Sequence, residues 1–424
     1  MLDIKFIREH ANEVKENARK RHVAVDIDEL LRVDAERLAL LKEVEELRRD
    51  RNETAEKIPS SAPEAKPGLI EHGKEVKKLI AIKEAELAEA EGRWMGLQLE
   101  VPNMTHPDSP LGATDEENVP IRTIGEPAKI ENVKDHVEIG KALDILDFDR
   151  AADVSGAKFY YLKGKLAILE QSLIRFALDC AMENGFTPVT TPDLARDEVL
   201  RGTGFIPRGN ESQIYSIENC ELSLIGTAEI TLSGLHMGQT LDEDRLPIRY
   251  VGFSHCYRTE AGAYGRESYG LYRVHQFSKV ELYAYAAPEQ SEAMHAELLR
   301  IEEQIWTKLG MPFHVVDICT GDLGGPAYRK YDLEAWMPGK STAEGKGAYG
   351  EVTSTSNCTD FQARRLGMKV KRKDGTVEFL HTLNGTAIAT SRAMIAILEN
   401  GQQPDGSVVI PNVLVPYCGF EKIG

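Results

Sequence analysis

The chain has 424 residues, enough for two or more domains, and its 42% hydrophobic and 28% charged content is that of a globular chain with a substantial core. A net charge of −17 excludes a uniformly basic surface, so any polyanionic partner must be met by segregated cations. No apolar run approaches the roughly 18–20 residues that a bilayer span needs, and the first ten residues carry charges inside their apolar run, unlike a signal peptide. The six cysteines lie far apart with no Cys-x-x-Cys pair, which argues against structural zinc and a disulfide framework and for a reducing, cytoplasmic setting.

From about Asp28 to Ile58 the sequence is helix-forming, with Val33, Leu40, Val44 and Leu47 as its apolar positions. Pro59 and Pro63 are expected to break this helix, with Pro67-Gly68 closing the break. A second helical run has the cleaner seam: Val76, Ile80, Leu87, Ala90, Trp94, Leu97 and Val101 recur at spacings of three, four or seven, interrupted once by Lys83. Two long helices joined by a short polar turn predict an antiparallel hairpin about 45 Å long, a projecting arm. Arg48, Arg49 and Arg51 on the first helix, Lys74, Lys77 and Lys78 on the second, and Lys369 to Lys373 are the local basic clusters.

Residues 102–122 are rich in proline and glycine and read as a linker. Beyond them, β-rich runs at Ile248–Phe253, Lys279–Tyr285 and Phe313–Cys319 alternate with helices expected over 158–184, 288–309 and 385–400. Gly-rich phosphate fingerprints are absent and the spacing is of hairpin type, which disfavours Rossmann and P-loop bodies. An antiparallel sheet flanked by helices, the α+β class, remains.

The most informative stretch runs from Phe253 to Gly262 and resumes from Gly270 to Glu281. Arg258 and Glu260 are expected on one face of a strand, a glycine-broken loop (Gly262, Gly265, Gly270) follows, and Arg273, Phe277 and Glu281 return to the same face. Guanidiniums suit phosphate oxygens, a ring suits a base, and a carboxylate suits an ammonium group. The set fits a nucleoside triphosphate beside an amino acid.

This stretch resembles motif 2 of the class II aminoacyl-tRNA synthetases, specifically the seryl enzymes. Gly185 to Pro192 resembles motif 1, a helix end followed by a strand broken by prolines, and Leu383 to Asn400 resembles motif 3, a short strand running into a helix. Arg392 near that helix's N-terminus opposes the macrodipole, which points to an anionic ligand. Gly226 to Glu229, Glu351 to Ser354 and Met1 to Glu9 also match family segments, so the resemblance spans the chain. Tyr257 and Thr259 stand where the family usually has phenylalanine and serine, and His255 where it has a small residue or proline.

The resemblance implies an N-terminal tRNA-binding domain over 1–101 and a catalytic domain over 123–424, with motifs at about 185–194, 251–281 and 383–400. It implies a homodimer through motif 1, with serine, ATP and tRNA(Ser) as substrates, and leaves tRNA(Sec) open. Arg258 and Arg392 would be the catalytic residues. ATP would be held by Arg258, Thr259, Glu260, Arg273, Val274 and Phe277, and by Glu351, Val352, Thr353, Ser354 and Arg392. Serine would be held by Thr227, Ala228, Glu229, Arg258, Glu281, Asn384 and Thr386, and Mg²⁺ by Glu351 and Ser354. The alternatives are a ligase loading a carrier protein, whose relatives lack the helical arm, and a silent homologue acting as a scaffold.

Overall fold

In a computed structural model, residues 1–205, 213–260, 269–342 and 345–424 are described. The chain divides into two compact units, Met1–Met104 and Thr105–Gly424.

The first unit contains two short helices, Ile4–Glu9 and Ala11–Lys20, and two long ones, α1 (Ile27–Ser60) and α2 (Lys66–Glu100). The Asp26 side chain caps α1 by accepting the Glu29 N–H. Val33 and Val44 on α1 and Val76, Ile80 and Ala90 on α2 are buried, as the seam requires. Ion pairs join Glu36 to Arg93 at 2.6 Å and Arg48 to Glu84 at 2.7 Å, and a hydrogen bond joins Asp50 to His72 at 3.0 Å. Numbers that rise on one helix and fall on the other make the pair antiparallel. Lys83, the interruption in the seam, reaches across to Glu43 at 3.0 Å. Pro59 does not break α1, contrary to expectation: it lies in the last turn and the helix runs on to Ser60. A proline there forfeits one hydrogen bond next to carbonyls that a helix end leaves unpaired anyway. Pro67 sits in the first turn of α2, where its missing N–H costs nothing.

The second unit is built on eight strands: β1 (Val119–Ile124), β2 (Thr187–Thr190), β3 (Ile248–Tyr257), β4 (Gln276–Ala286), β5 (Phe313–Asp317), β6 (Arg329–Thr342), β7 (Gly345–Asn357) and β8 (His381–Ala389). Their order across the sheet is β1-β5-β6-β7-β8-β4-β3-β2. Every neighbouring pair is antiparallel except β2 with β3. The expected class therefore holds. β1 takes up the last residues of the segment read as a linker. β2, the motif 1 strand, is an edge, which is why Pro188 is tolerated within it.

Helices α3 (Lys165–Glu183), α4 (Ala228–Gly234), α5 (Ser291–Leu309) and α6 (Thr390–Gly401) cover the sheet. Phe176 of α3 and Trp306 of α5 pack with Val280 and Leu282 of β4 in one cluster, while Tyr283 and Tyr285 of the same strand pack in another. β4 is thus buried on both faces, and its apolar run does not alternate. Two helix boundaries differ from expectation. Residues 158–164 precede α3, and 385–389 belong to β8. The β8 segment is small and helix-tolerant, but its pairing with β4 on one side and β7 on the other overrides local propensity.

Candidate active site

Strand β3 ends at Tyr257, so Arg258 and Glu260 do not sit on a strand as expected. Glu260 instead takes φ 49°, a left-handed conformation rare for a residue with a side chain. Both still face one cavity of about 370 Å³. Gly262 and Gly265 of the expected loop lie outside the described residues.

One end of the cavity is lined by Thr227, Glu229, Glu281, Asn384 and Thr386. Thr386 of β8 stands directly opposite Glu281 of β4, and its hydroxyl donates to Glu281 Oε2 at 3.4 Å. Lys279 Nζ lies 2.6 Å from the same oxygen. Lys279 was missed in the sequence, although the period-two alternation of β4 places it on the face of Phe277 and Glu281. Burial pushes the Glu281 carboxyl up, opposed by Lys279, Arg258 and the Thr386 bond. Burial, and then the Glu281 charge, raise Glu229 to about 7, although Gln362 Nε2 donates to its Oε1 at 2.8 Å. Thr227 caps α4, its hydroxyl oxygen accepting the Glu229 N–H at 3.2 Å.

The other end is lined by Arg258, Glu260, Val274, Phe277, Glu351 and Arg392. The Arg258 guanidinium lies 5.2 Å from the Phe277 ring centroid, and its Nε donates to the Gly226 carbonyl at 3.3 Å. Arg392 is the third residue of α6, as expected, and donates through Nη1 to the Glu351 carbonyl at 3.0 Å. The same Nη1 lies 3.1 Å from Glu351 Oε1. Burial works against ionisation of Glu351, but Arg392, Lys330 and Arg258 together hold its carboxyl at about 2.

Glu351 and Ser354 are three residues apart, which would put them on opposite faces of a regular strand. β7 pairs Thr353 with Leu333 and Glu351 with Glu334, leaving Val352 as an extra residue. This bulge lets Glu351 and Ser354 both line the cavity. A carboxylate and a hydroxyl are hard oxygen donors that fit Mg²⁺, an ion that takes much of its shell from phosphates and water. Val352 and Thr353 line the cavity with them.

Three expected residues do not line it. Ala228 is fully buried in the second core cluster. The Thr259 N–H donates to the Gln213 carbonyl at 3.2 Å. Arg273 pairs with Glu260 at 3.2 Å. Tyr272 and Lys330, which no sequence signal singled out, do line it.

Residues 214–401 match the tRNA synthetase class II core domain (G, H, P, S and T), and residues 1–105 match the seryl-tRNA synthetase N-terminal domain. The serine–tRNA ligase of Rubrobacter xylanophilus is 55% identical over all of this chain and 99% of its own length. The chain belongs to the seryl-tRNA synthetase family. The serine–tRNA ligase of Treponema denticola is 51% identical over the full length of both chains. Among solved structures, the seryl-tRNA synthetase of Pyrococcus horikoshii complexed with ATP matches with a TM-score of 0.89 at 42% identity, covering 100% of this chain and 99% of that one. The cytoplasmic serine–tRNA ligase of Naegleria fowleri in complex with AMP matches with a TM-score of 0.84 at 30% identity, covering 100% and 98%.

Proposed function

We infer that this chain is an ATP-dependent serine–tRNA ligase, in which the serine carboxylate attacks the α-phosphate of ATP and the seryl group then passes to the 3′ end of tRNA(Ser). The observation that carries the reading is the meeting of the Thr386 hydroxyl with the Glu281 carboxylate beside Arg258 in one cavity. The attacking carboxylate is already an anion, so the first step needs no general base. It needs reactants held in line and negative charge met as the bond from the α-phosphorus to the leaving pyrophosphate breaks.

In this reading Glu281 and Thr227 hold the serine ammonium, and Glu281 with Thr386 takes its hydroxyl, flanked by Glu229 and Asn384. Arg258 meets the α-phosphate and the serine carboxylate, Phe277 carries the adenine, and Glu260 and the Thr259 backbone face its edge. Arg273, Arg392 and the Val274 segment lie toward the phosphates. Glu351 and Ser354 would hold Mg²⁺, which when bound neutralises phosphate charge. A pocket that hydrogen-bonds a hydroxyl leaves polar groups unpaired when alanine enters, so it discriminates by about 10⁴–10⁵ without editing.

The Met1–Met104 unit is the tRNA-binding element. Arg49 and Arg51 on α1 and Lys77 and Lys78 on α2 are exposed there. By contrast, Arg372 is paired with Glu289 and Glu378, and Lys373 with Asp244, so both cations are already matched by carboxylates of their own unit. tRNA(Sec) would enter through the same element if its shape is compatible. The exposed edge strand β2 suits a homodimer, which light scattering would report as a mass twice 47.1 kDa and a monomer mass would refute. Six cysteines that form no disulfide suit a reducing compartment, the cytoplasm. No helix among the described residues is long and apolar enough to cross a membrane. Serine-dependent ATP–pyrophosphate exchange should require Mg²⁺ and stop on chelation. Exchange that persists in excess chelator would remove Glu351 and Ser354 from that role.

A further inference from the structure

Tyr272 lines the substrate cavity and also a second one of about 1190 Å³, whose described walls include His136, Tyr269, Lys340 and Glu399. The Arg392 guanidinium lies 4.7 Å from the Tyr272 ring centroid, and Lys340 Nζ lies 5.1 Å from it. The position of this ring therefore helps to set the position of Arg392.

What holds the ring is a buried chain of hydrogen bonds. Gly339 N–H donates to Glu399 Oε2 at 2.8 Å. Glu399 Oε1 accepts the His136 backbone N–H at 3.0 Å and lies 2.8 Å from His136 Nδ1. The Leu271 N–H donates to His136 Nε2 at 3.1 Å. A backbone N–H can only donate, so Nε2 accepts and the ring proton sits on Nδ1, pointing at Glu399. His136 is 5% exposed and Glu399 1%. Gly270, at φ 61°, closes the turn so tightly that a Cβ there would come within 2.1 Å of His136 Nε2. Glu399 and Arg392 are seven residues apart on α6, two turns along one face. One helix thus carries the guanidinium and the carboxylate that anchors the ring beneath it.

We propose that His136 and Glu399 are positioning residues for the ATP site. They fix the Gly270–Tyr272 turn so that Tyr272 backs the Arg392 guanidinium in the orientation that meets nucleotide. The proposal rests on the reading of Arg392 as an ATP contact. Neither residue touches substrate, and no acid–base step passes through them.

Two substitutions separate the halves of the imidazole. His136→Asn keeps a polar group near Nδ1 and loses the acceptor for Leu271. His136→Gln carries an amide oxygen out to where Nε2 stands. In ATP–pyrophosphate exchange, His136→Asn is expected to raise the KM for ATP about tenfold, the effect of one buried hydrogen bond left unmade, with the KM for serine unchanged within about twofold. His136→Gln should keep the KM for ATP within about threefold of the native value. Tyr272→Leu, which leaves the buried chain intact, should reproduce the selective loss of ATP affinity, and this arm stands even if His136→Asn fails to fold. A native KM for ATP in both His136→Asn and Tyr272→Leu, with Arg392→Ala raising it, would overturn the positioning role alone. Equal losses toward ATP and serine in both His136 variants would also overturn it, because a general packing defect has no preference. An unchanged KM for ATP in Arg392→Ala would instead overturn the reading of Arg392, and the proposal with it.

Discussion

Replacing Glu281 by alanine is expected to lower serine activation at least about a hundredfold, by analogy with breaking a buried ion pair at a cost of about 3 kcal/mol or more. The Glu281 carboxyl is 2% exposed and is shared by Lys279 and Thr386. Without it, a bound ammonium would share the buried site with the Lys279 ammonium, with no carboxylate between them. Serine should therefore be lost as a ligand while ATP, held at the guanidinium end, is affected much less. ATP–pyrophosphate exchange with each substrate varied in turn separates the two. Equal losses toward serine and ATP would mean that Glu281 supports the cavity rather than serine.

Removing residues 38–92 and joining the ends with a short glycine–serine linker should leave serine-dependent exchange within about twofold, because the cavity is lined wholly by residues from 204 to 392. Transfer of serine to tRNA should fall at least about a hundredfold, since the loss of a few phosphate contacts weakens RNA binding on that scale. The Glu36–Arg93 ion pair of 2.6 Å brings the cut ends within reach of such a linker, and Trp94 and Leu97 stay packed against the small core at the base of the unit. Recognition would be of RNA shape and phosphates, because side chains cannot read the deep groove of an A-form helix. Charging at the native rate by the shortened protein would make the hairpin a stability or dimerisation element.

Much of this was legible in the sequence because chemistry and period agreed. The α1–α2 hairpin followed from a seam that recurs every three, four or seven residues, and Val33, Val44, Val76, Ile80 and Ala90 of that seam are buried while Leu40, Leu47, Leu87, Trp94 and Leu97 are only half-buried. Arg258, Phe277, Glu281 and Arg392 were legible because guanidiniums, a ring and a carboxylate interleaved with glycines have few bland explanations. Other features were hidden for physical reasons. The segment 385–389 has no strand-like alternation because β8 is buried on both faces, so only its partners reveal it as a strand. The β6–β7 hairpin carries Gly345, Gly347 and Gly350, which read locally as loop. The bulge at Val352 depends on the partner strand, and no local signal marks it. Lys279 was within reach of the same alternation that gave Glu281. Tyr272 and His136 were hidden because their roles depend on a hydrogen bond between residues 135 apart in the chain.

The central claim is most directly tested by charging total tRNA with each of the twenty amino acids in turn, using purified full-length protein, ATP and Mg²⁺. The account predicts a serine ester on tRNA as the dominant product, with alanine lower by about 10⁴–10⁵ because it leaves the polar groups around Glu281 and Thr386 unpaired. A different amino acid on the tRNA, or no amino acid at all from a protein that binds ATP, would contradict it.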